Sequence, residues 1–314
     1  MGNNTELLQQ LLHKLKTVFS LKQLGNISTF LGIQFSKTAD GYFLHQTHYL
    51  KEILHQSGFT DCKSAPTPIT IRSNAPQLTD SPFHDPTLFR KLVGSLQYLT
   101  ITRPDIAFTV NHSCQRMHSP TIKDFQALKR ILRYLQGTST YGLPVVRGLL
   151  SLSTYVDADW AADQHDQKSV TCFCTFLGPN LISWCVKKQP TVAKSSTEAE
   201  YRALASATSD VIWLRRLLGE LNAPQTTATR IFCDNTSAMA LAHNPIFHAR
   251  TKHIEIDHHF INQHIQSNAI QLLHISSAEQ PADLLTKPLP ITRFHDLCSK
   301  LTIRSQDCSF EGGC

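Results

Sequence analysis

Three aspartates of the second half lie where predicted strands and helices end. Asp157 follows the alternating apolar residues of a predicted strand, and Asp234 ends a short predicted strand, Arg230–Cys233. Asp283 opens a predicted helix, where the positive end of the helix dipole favours a carboxylate. Carboxylates from different element ends can converge, and hard oxygen ligands of this kind are those that Mg²⁺ prefers. Such a cluster suits phosphodiester hydrolysis with two metal ions.

The fourth acid of this cluster is a glutamate on a long predicted helix, and two candidates stand two positions apart. Glu198 and Glu200 differ by about 200° around the helix axis, so only one of them can face the sheet. Glu200 leads an apolar stripe of helical spacing, formed by Leu204, Ala207, Val211, Leu214 and Leu218. The spacing therefore predicts Glu200 as the inward acid, and Glu198 as the partner of Ser195 in a capping box.

The first position of the cluster has two candidates as well. Asp159 follows Asp157 by two residues, and alternate residues of a strand lie on the same side. Strand geometry therefore leaves both aspartates open as the first metal ligand.

The elements that must position these acids follow an α/β order. Alternation around Leu150–Val156 predicts the first strand. We expect the later elements to be strands at 171–177 and 181–186, a helix at 196–221, a strand at 230–233, helices at 236–243 and 253–267, a strand at 270–275 and a closing helix from Pro281. This order predicts a mixed sheet flanked by helices.

The first 62 residues are predicted to form a helix, a hairpin and a second helix. Leucines at helical spacing between residues 7 and 15 predict the first helix. Two strands, Phe30–Ser36 and Gly41–His45, flank a turn that contains Asp40-Gly41. The second helix is expected to end at Gly58, because glycine favours the left-handed conformation of a helix C-terminus.

Residues 63–86 are predicted to be an extended linker, since five prolines fall there among Ser, Thr and Asn. Helices follow as far as about Gln136, with a break at Arg103-Pro104. For the last of them we expect Ser119 as the N-cap and Pro120 at the first helical position.

Positive charge is concentrated in the first half of the chain. Residues 1–146 contain 15 Lys and Arg against 8 Asp and Glu, and residues 147–314 contain 15 against 16, which together make the totals of 30 and 24. A basic half suits a polyanionic partner or is simply a solvated surface. Lys123, Arg130 and Arg133 share one face of the last front helix, and that face is suited to phosphates or to solvent.

Composition excludes some classes of protein. With 314 residues, 41% of them hydrophobic and 17% charged, the chain is expected to fold into two domains, or one domain plus an appendage, and not to be disordered. It contains no apolar run of about 18 residues, so no membrane span is expected. Nine cysteines without a C-x-x-C pair, and a polar N-terminus without a secretory signal, favour an intracellular protein, with the compartment open.

The segments that carry the acids resemble the RNase H domain of Ty1/copia-type retrotransposon Pol polyproteins. These segments are Tyr-Val-Asp-Ala-Asp-Trp-Ala (155–161), Ser-Ser-Thr-Glu-Ala-Glu-Tyr-Arg-Ala-Leu (195–204), Cys-Asp-Asn (233–235) and Ala-Asp-Leu-Leu-Thr-Lys-Pro-Leu (282–289). The first half resembles the part of the same polyproteins just before that domain, through Phe-Ser-Leu-Lys-Gln-Leu-Gly (19–25), Phe-Leu-Gly-Ile-Gln (30–34), Leu-Val-Gly-Ser-Leu-Gln-Tyr-Leu (92–99) and Thr-Arg-Pro-Asp-Ile (102–106).

The resemblance implies a fold, a site and a substrate. It implies an RNase H-like mixed five-stranded sheet, preceded by a reverse-transcriptase palm hairpin and a helical thumb or connection remnant. It also implies that two Mg²⁺ ions, with Mn²⁺ as a substitute, are held for cleavage of the RNA strand of an RNA–DNA hybrid. Matched motif by motif, the acids that would hold them are Asp157, Glu200, Asp234 and Asp283.

The same resemblance divides the chain and limits its activity. The expected divisions are a palm end (1–62), the linker (63–86), a thumb-like region (87–146), an RNase H-like domain (147–290) and a C-terminal tail (291–314). Reverse transcriptases of the family carry a paired Asp-Asp in the palm, and the sequence contains no such pair. We therefore expect a Pol fragment that does not polymerise DNA alone, and whose partner is the hybrid or the polymerase portion that it lacks.

A histidine-rich segment, 244–260, also recurs in the family. Arg250, Lys252 and His253 are candidates for contact with substrate phosphates, and a surface helix is the alternative. His253 and Asp257 stand four apart, but no cysteine or fourth ligand is spaced for zinc.

Two functions are compatible with these observations. The first is a retrotransposon-derived hybrid ribonuclease, and the second is a catalytically silent nucleic-acid-binding remnant that has kept its acids.

Overall fold

The computed structural model describes residues 5–22, 27–71, 80–163, 166–244 and 254–306. Two five-stranded sheets organise them, an antiparallel sheet drawn mainly from the first half and a mixed sheet in the second half. None of the described helices is long and apolar enough to cross a membrane.

The first half builds the antiparallel sheet and the helices that cover it. Its elements are α1 (Thr5–Val18), β1 (Thr29–Phe30), β2 (Ile33–Lys37), β3 (Gly41–His45), α2 (Thr47–Ser57), α3 (Pro86–Leu99), a 3-10 turn (Pro104–Ile106), α4 (Ala107–Cys114), α5 (Ile122–Gly137) and β4 (Tyr141–Val146). The predicted hairpin is confirmed, because β2 and β3 pair antiparallel. Gly58 ends α2 in the left-handed conformation, as expected, with φ of 73°.

The proline-rich segment lies against α5 where the structure describes it. Ala65 and Thr67 are buried, and the backbone N–H of Ala65 donates to the carbonyl of Arg133 at 3.2 Å. Near the C-terminal end of the segment, Phe83 is buried and stacks on Phe125 with ring centroids 4.0 Å apart. Both ends of the segment therefore join the core of the first half.

The predicted start of α5 was wrong by two residues. The N-cap is Thr121 and not Ser119, and Pro120 stays outside the helix. Thr121 accepts from the backbone N–H of Asp124, and the Asp124 carboxylate accepts from the backbone N–H of Thr121 in return. This reciprocal capping box satisfies two backbone donors, whereas the carbonyl of Pro120 is taken by Phe83.

A buried ion pair stands at the break between α3 and α4. Arg103 and Asp105 are 1% and 2% exposed, and their closest nitrogen and oxygen lie 2.7 Å apart. The guanidinium also donates to the Thr138 carbonyl, and the Tyr134 hydroxyl donates to Asp105 at 2.6 Å. Because Thr138 accepts from the guanidinium and Tyr134 donates to the carboxylate, the pair ties the break to the end of α5.

The second half confirms the predicted mixed five-stranded sheet. Its elements are β5 (Leu152–Asp159), β6 (Val170–Leu177), β7 (Asn180–Lys188), α6 (Ser196–Glu220), β8 (Thr229–Cys233), α7 (Thr236–His243), α8 (Glu255–Gln266) and β9 (Ile270–His274). The strand order is β7-β6-β5-β8-β9. The pairs β7–β6 and β6–β5 are antiparallel, and β5–β8 and β8–β9 are parallel. Helix α6 packs on β5 and β6.

The closing helix predicted from Pro281 is instead a single 3-10 turn, Pro281–Leu285. Pro288 and Pro290 follow it, and proline both lacks an N–H and disfavours helix in the residue before it, so the turn cannot extend. The segment predicted as the C-terminal tail then forms α9 (Ile291–Lys300) and β10 (Arg304–Ser305).

Helix α9 joins the two halves of the chain. Its Phe294 and Leu297 are buried in a core that also contains residues of α3 and α5, and Phe294 meets Tyr134 edge to face at 5.6 Å. Strand β10 pairs antiparallel with β4 at the edge of the first sheet. The 3-10 turn that carries Asp283 is thus held between the mixed sheet and this shared core.

Candidate active site

Asp157 lies in the middle of the mixed sheet, near the C-terminal end of the central strand β5. It is 4% exposed, and its Oδ2 accepts from the Thr286 hydroxyl at 2.6 Å. The Lys287 ammonium lies 3.5 Å from the same oxygen. One carboxylate oxygen of Asp157 is therefore contacted by two consecutive residues, Thr286 and Lys287, which directly follow the 3-10 turn Pro281–Leu285.

Glu200 reaches the sheet from the second turn of α6. The predicted inward stripe is confirmed, since Leu204, Ala207, Val211, Leu214 and Leu218 are all buried with Glu200. Burial is the main cause that raises the pKa of Glu200 to about 9, with the charges of Asp157 and Asp234 adding to it. Within the described part of the chain, its buried Oε2 atom has no hydrogen-bond partner. An unpaired buried carboxylate oxygen needs a cation or a proton.

Glu198 takes the local role expected of it, with one difference. The Ser195 hydroxyl accepts from the Glu198 backbone N–H at 3.2 Å, so Ser195 is the N-cap of α6. The Glu198 carboxylate accepts from the backbone N–H of Lys194, instead of that of Ser195, and forms an ion pair with Arg202 at 2.5 Å. Its oxygens are thus committed to the start of the helix and not to the sheet.

Asp234 comes directly after β8, next to β5 in the sheet. Its Oδ2 accepts from the Ser277 hydroxyl at 2.7 Å. Ligand atoms of Glu200, Cys233 and Asp234 lie within 4.8 Å of one another. Burial, with the nearby charge of Glu200, raises the pKa of the Cys233 thiol, so this soft ligand stays protonated at neutral pH. The oxygens of the two acids are the ligands suited to a hard cation.

Asp283 lies on the 3-10 turn and faces Asp157. Its Oδ1 is 2.7 Å from the Lys287 ammonium, and its Oδ2 is 3.8 Å from the guanidinium of Arg293. Burial raises the pKa of Asp283 to about 6, against the opposing effect of Lys287 and with a contribution from Asp157. A carboxyl in this state accepts a proton or a cation readily.

Asp159, the competing first acid, stands at the edge of this cluster. It is only half-buried, and burial together with the charge of Asp157 raises its pKa. Its side chain lines a groove of about 700 Å³ beside α4 and α5, and Arg116 and Lys123 line the same groove together with Asp80, Asp124 and Asp163. Asp157 is the more enclosed of the two and directly contacts the closing turn.

The four predicted acids are thus brought together from four separate elements. Their donor set consists of carboxylate oxygens, and one of these oxygens is buried without a partner among the described residues, which fits divalent cations of the Mg²⁺ type. Sequence reasoning did not single out the residues that orient the acids, namely Ser277, Thr286, Lys287 and Arg293. Two of them stand inside the quoted motif at 282–289, which was the available signal.

The residues predicted to contact nucleic acid, unlike the four acids, are not brought together at one place in the described structure. Lys123 lines the groove beside Asp159. Arg130 donates to the Thr67 hydroxyl at 3.0 Å, and Arg133 donates to the Lys63 carbonyl at 2.7 Å. These two guanidiniums therefore hold the proline-rich segment on α5. The other three, Arg250, Lys252 and His253, lie outside the described residues.

The sheet order and the converging acids define an RNase H-like α/β domain, as the sequence resemblance implied. Comparisons with known proteins identify the family. A family model described as reverse transcriptase (RNA-dependent DNA polymerase) matches residues 1–71. The Pol polyprotein from transposon RE1 of Arabidopsis thaliana is 43% identical over 96% of this chain, and that from transposon TNT 1-94 of Nicotiana tabacum is 33% identical over 96%. The uncharacterized mitochondrial protein AtMg00810 of Arabidopsis thaliana is 47% identical over 68% of this chain and 88% of its own length.

The chain therefore belongs to the family of copia-type retrotransposon Pol polyproteins. It spans about a fifth of the length of the RE1 and TNT 1-94 polyproteins, 21% and 23% respectively. Among solved structures, LC11-RNase H1, isolated from compost, covers 44% of this chain at 12% identity and a TM-score of 0.34.

Proposed function

We propose that this chain hydrolyses the RNA strand of an RNA–DNA hybrid, with Asp157, Glu200, Asp234 and Asp283 holding two Mg²⁺ ions. The observation that carries the proposal is the convergence of these four acids, together with the buried Oε2 of Glu200, for which the described part of the chain offers no hydrogen-bond partner. A helical glutamate placed in an apolar stripe is costly to keep, and a bound cation removes that cost.

The protein's own groups would hold the acids in position for this reaction. When bound, Mg²⁺ supplies electrostatic stabilisation of the phosphodiester and lowers the pKa of water. Thr286 orients Asp157 and Ser277 orients Asp234, each through a hydroxyl hydrogen bond. Removing a hydrogen-bond partner of this kind typically lowers metal affinity or activity by about ten- to a hundredfold. Lys123 and Arg116 line the groove beside Asp159, and positive side chains of this kind suit contact with a phosphate backbone.

A second candidate is a nucleic-acid-binding remnant without catalysis. The observation that favours it is the basic first half, with 15 Lys and Arg against 8 Asp and Glu in residues 1–146. Positive surface alone is enough to bind a polyanion. Under either function we propose that this chain does not polymerise DNA alone, because its sequence contains no paired Asp-Asp.

The deciding experiment compares three proteins on one labelled substrate. Wild type, Asp234→Asn and the control Glu220→Gln are incubated with Mg²⁺ and an RNA–DNA hybrid, and with RNA–RNA and DNA–DNA duplexes of the same sequence. Glu220 is an exposed acid at the last position of α6, at the opposite end of that helix from Glu200. We expect cleavage of the hybrid alone by wild type and control, and a loss of more than about a hundredfold in Asp234→Asn.

Two results would reject the catalytic proposal. One is equal cleavage by wild type and Asp234→Asn, which would indicate a contaminating nuclease. The other is no cleavage by wild type that nevertheless melts cooperatively and binds the hybrid, which would favour the silent remnant.

A further inference from the structure

Lys287 places a cation inside the acidic cluster itself. Its ammonium lies 2.7 Å from Asp283 Oδ1 and 3.5 Å from Asp157 Oδ2, so it bridges two carboxylates from different elements. These are the oxygens that the proposed function assigns to metal binding. An ammonium at this position neutralises part of the repulsion between the two acids.

The backbone around Lys287 makes this position specific. The preceding residue, Thr286, is fully buried and bonded to Asp157, and the following residue, Pro288, has a fixed φ. The Lys287 N–H donates to the Asp283 carbonyl at 3.3 Å. The start of the side chain is therefore fixed next to the acids.

The other end of Lys287 is partly open to solvent. Its side chain is 43% exposed, whereas those of Asp157 and Asp283 are 5% and 9% exposed. A lysine side chain has a flexible four-carbon stem, so the ammonium can leave the carboxylates for the open side of the site without any change of backbone. Arg293, at 3.8 Å from Asp283, is also bonded outside the cluster, to the Asp296 carboxylate and the Ser277 carbonyl, and its side chain is only 24% exposed.

We propose that Lys287 is the internal cation of the metal-free cluster, that divalent metal displaces it from Asp157 and Asp283, and that its ammonium then contacts a phosphate of the bound nucleic acid. This inference rests on the proposed function for the identity of the metal site and the substrate. Lys287 thereby competes with the metal in the free protein and adds a positive charge to the substrate side when metal is bound.

The first measurement needs no substrate. Mn²⁺ binding to the full chain is titrated by the loss of the free-ion electron paramagnetic resonance signal, for wild type, Lys287→Gln, Lys287→Arg and Lys300→Gln. Lys300 is the matched control, because it is a lysine ion-paired with Glu279 and Asp296, outside the cluster. We expect Lys287→Gln to bind Mn²⁺ about tenfold more tightly, because a charge close to the ligands is removed. Lys287→Arg and Lys300→Gln should remain near wild type.

The second measurement tests the phosphate contact. Affinity for an RNA–DNA hybrid is measured in Ca²⁺ over a range of salt concentrations. Lys287→Gln should lower the slope of log affinity against log salt by about one, and Lys287→Arg should restore it. Thermal melts of all four proteins exclude a general loss of folding.

The outcomes separate this inference from the proposed function. Unchanged or weaker Mn²⁺ binding by Lys287→Gln overturns the inference even when wild type cleaves the hybrid. An unchanged salt slope overturns it as well. Tighter Mn²⁺ binding and a reduced salt slope, in a protein that does not cleave, would support the role of Lys287 and reject the ribonuclease.

Discussion

Replacing Glu200 with glutamine removes an ionisable group that the folded, metal-free protein holds in its neutral form. Glutamine keeps the shape of the side chain but does not titrate. Burial, with Asp157 and Asp234 nearby, raises the pKa of Glu200 from 4.5 to about 9. In the unfolded chain the same carboxyl ionises near pH 4.5. Folding therefore takes up a proton between these pH values, and this site makes the protein less stable as pH rises.

The size of this effect follows from the interval between the two pKa values. Each pH unit above the unfolded pKa of 4.5 lowers the free energy of unfolding by about 1.4 kcal/mol, until the folded pKa of about 9 is reached. The loss is about 4 kcal/mol at pH 7.5 and less than about 1 kcal/mol at pH 5. We therefore expect Glu200→Gln to be more stable than wild type by these amounts, with a gain that depends on pH.

Urea unfolding, followed by circular dichroism, measures this directly. Wild type, Glu200→Gln and the exposed control Glu220→Gln are compared at pH 5 and pH 7.5 in the presence of a chelator, and again with Mg²⁺. Wild type should gain stability with Mg²⁺, whereas Glu200→Gln should gain less because it has lost a charged ligand. Equal stability differences at the two pH values, or a glutamine variant that is less stable at pH 7.5, would refute the reasoning.

Three further substitutions test other parts of the structure. Asp105→Ala leaves the fully buried Arg103 without its carboxylate, and should lower the free energy of unfolding by about 3–5 kcal/mol, or prevent folding, as read from urea unfolding. Thr121→Ala removes the N-cap of α5 and should cost about 1 kcal/mol in the same assay. Thr286→Val removes the hydroxyl bonded to Asp157, and should lower both Mn²⁺ affinity and kcat/KM on the hybrid by about tenfold.

Each of these expectations has a result that would contradict it. A loss of less than about 1 kcal/mol in Asp105→Ala would mean that the arginine finds water or another partner. For the helix cap, Ser119→Ala is the control, and an effect as large as that of Thr121→Ala would restore the cap predicted from sequence. If Thr286→Val folds stably and binds Mn²⁺ with unchanged affinity, the Thr286 hydroxyl does not contribute to metal binding.

The features that could be predicted from the sequence alone are those that depend on local periodicity. On α6, the spacing of the apolar residues shows which face of the helix is turned inward, and Glu200 lies on that face. The sequence could therefore distinguish Glu200 from Glu198 as the acid of the cluster. Alternation and turn residues likewise predicted the hairpin and the elements of the mixed sheet. The positions of the acids at element ends follow from the same patterns, since each depends on residues within a few positions.

Only the tertiary structure decided which distant residues meet. Thr286 and Lys287 reach Asp157 across about 130 positions of sequence, and no periodicity contains that contact. Arg130 and Arg133 have the spacing of a free basic face, yet packing of the proline-rich segment engages them both.

The acids themselves show the same division. Their types and their places at element ends are determined by the sequence, because strand and helix boundaries are local properties. Their protonation and their cation are decided by the fold, because burial and the approach of Lys287 depend on how separate elements pack. A carboxylate is present in the sequence, but its electrostatic surroundings exist only once the chain has folded.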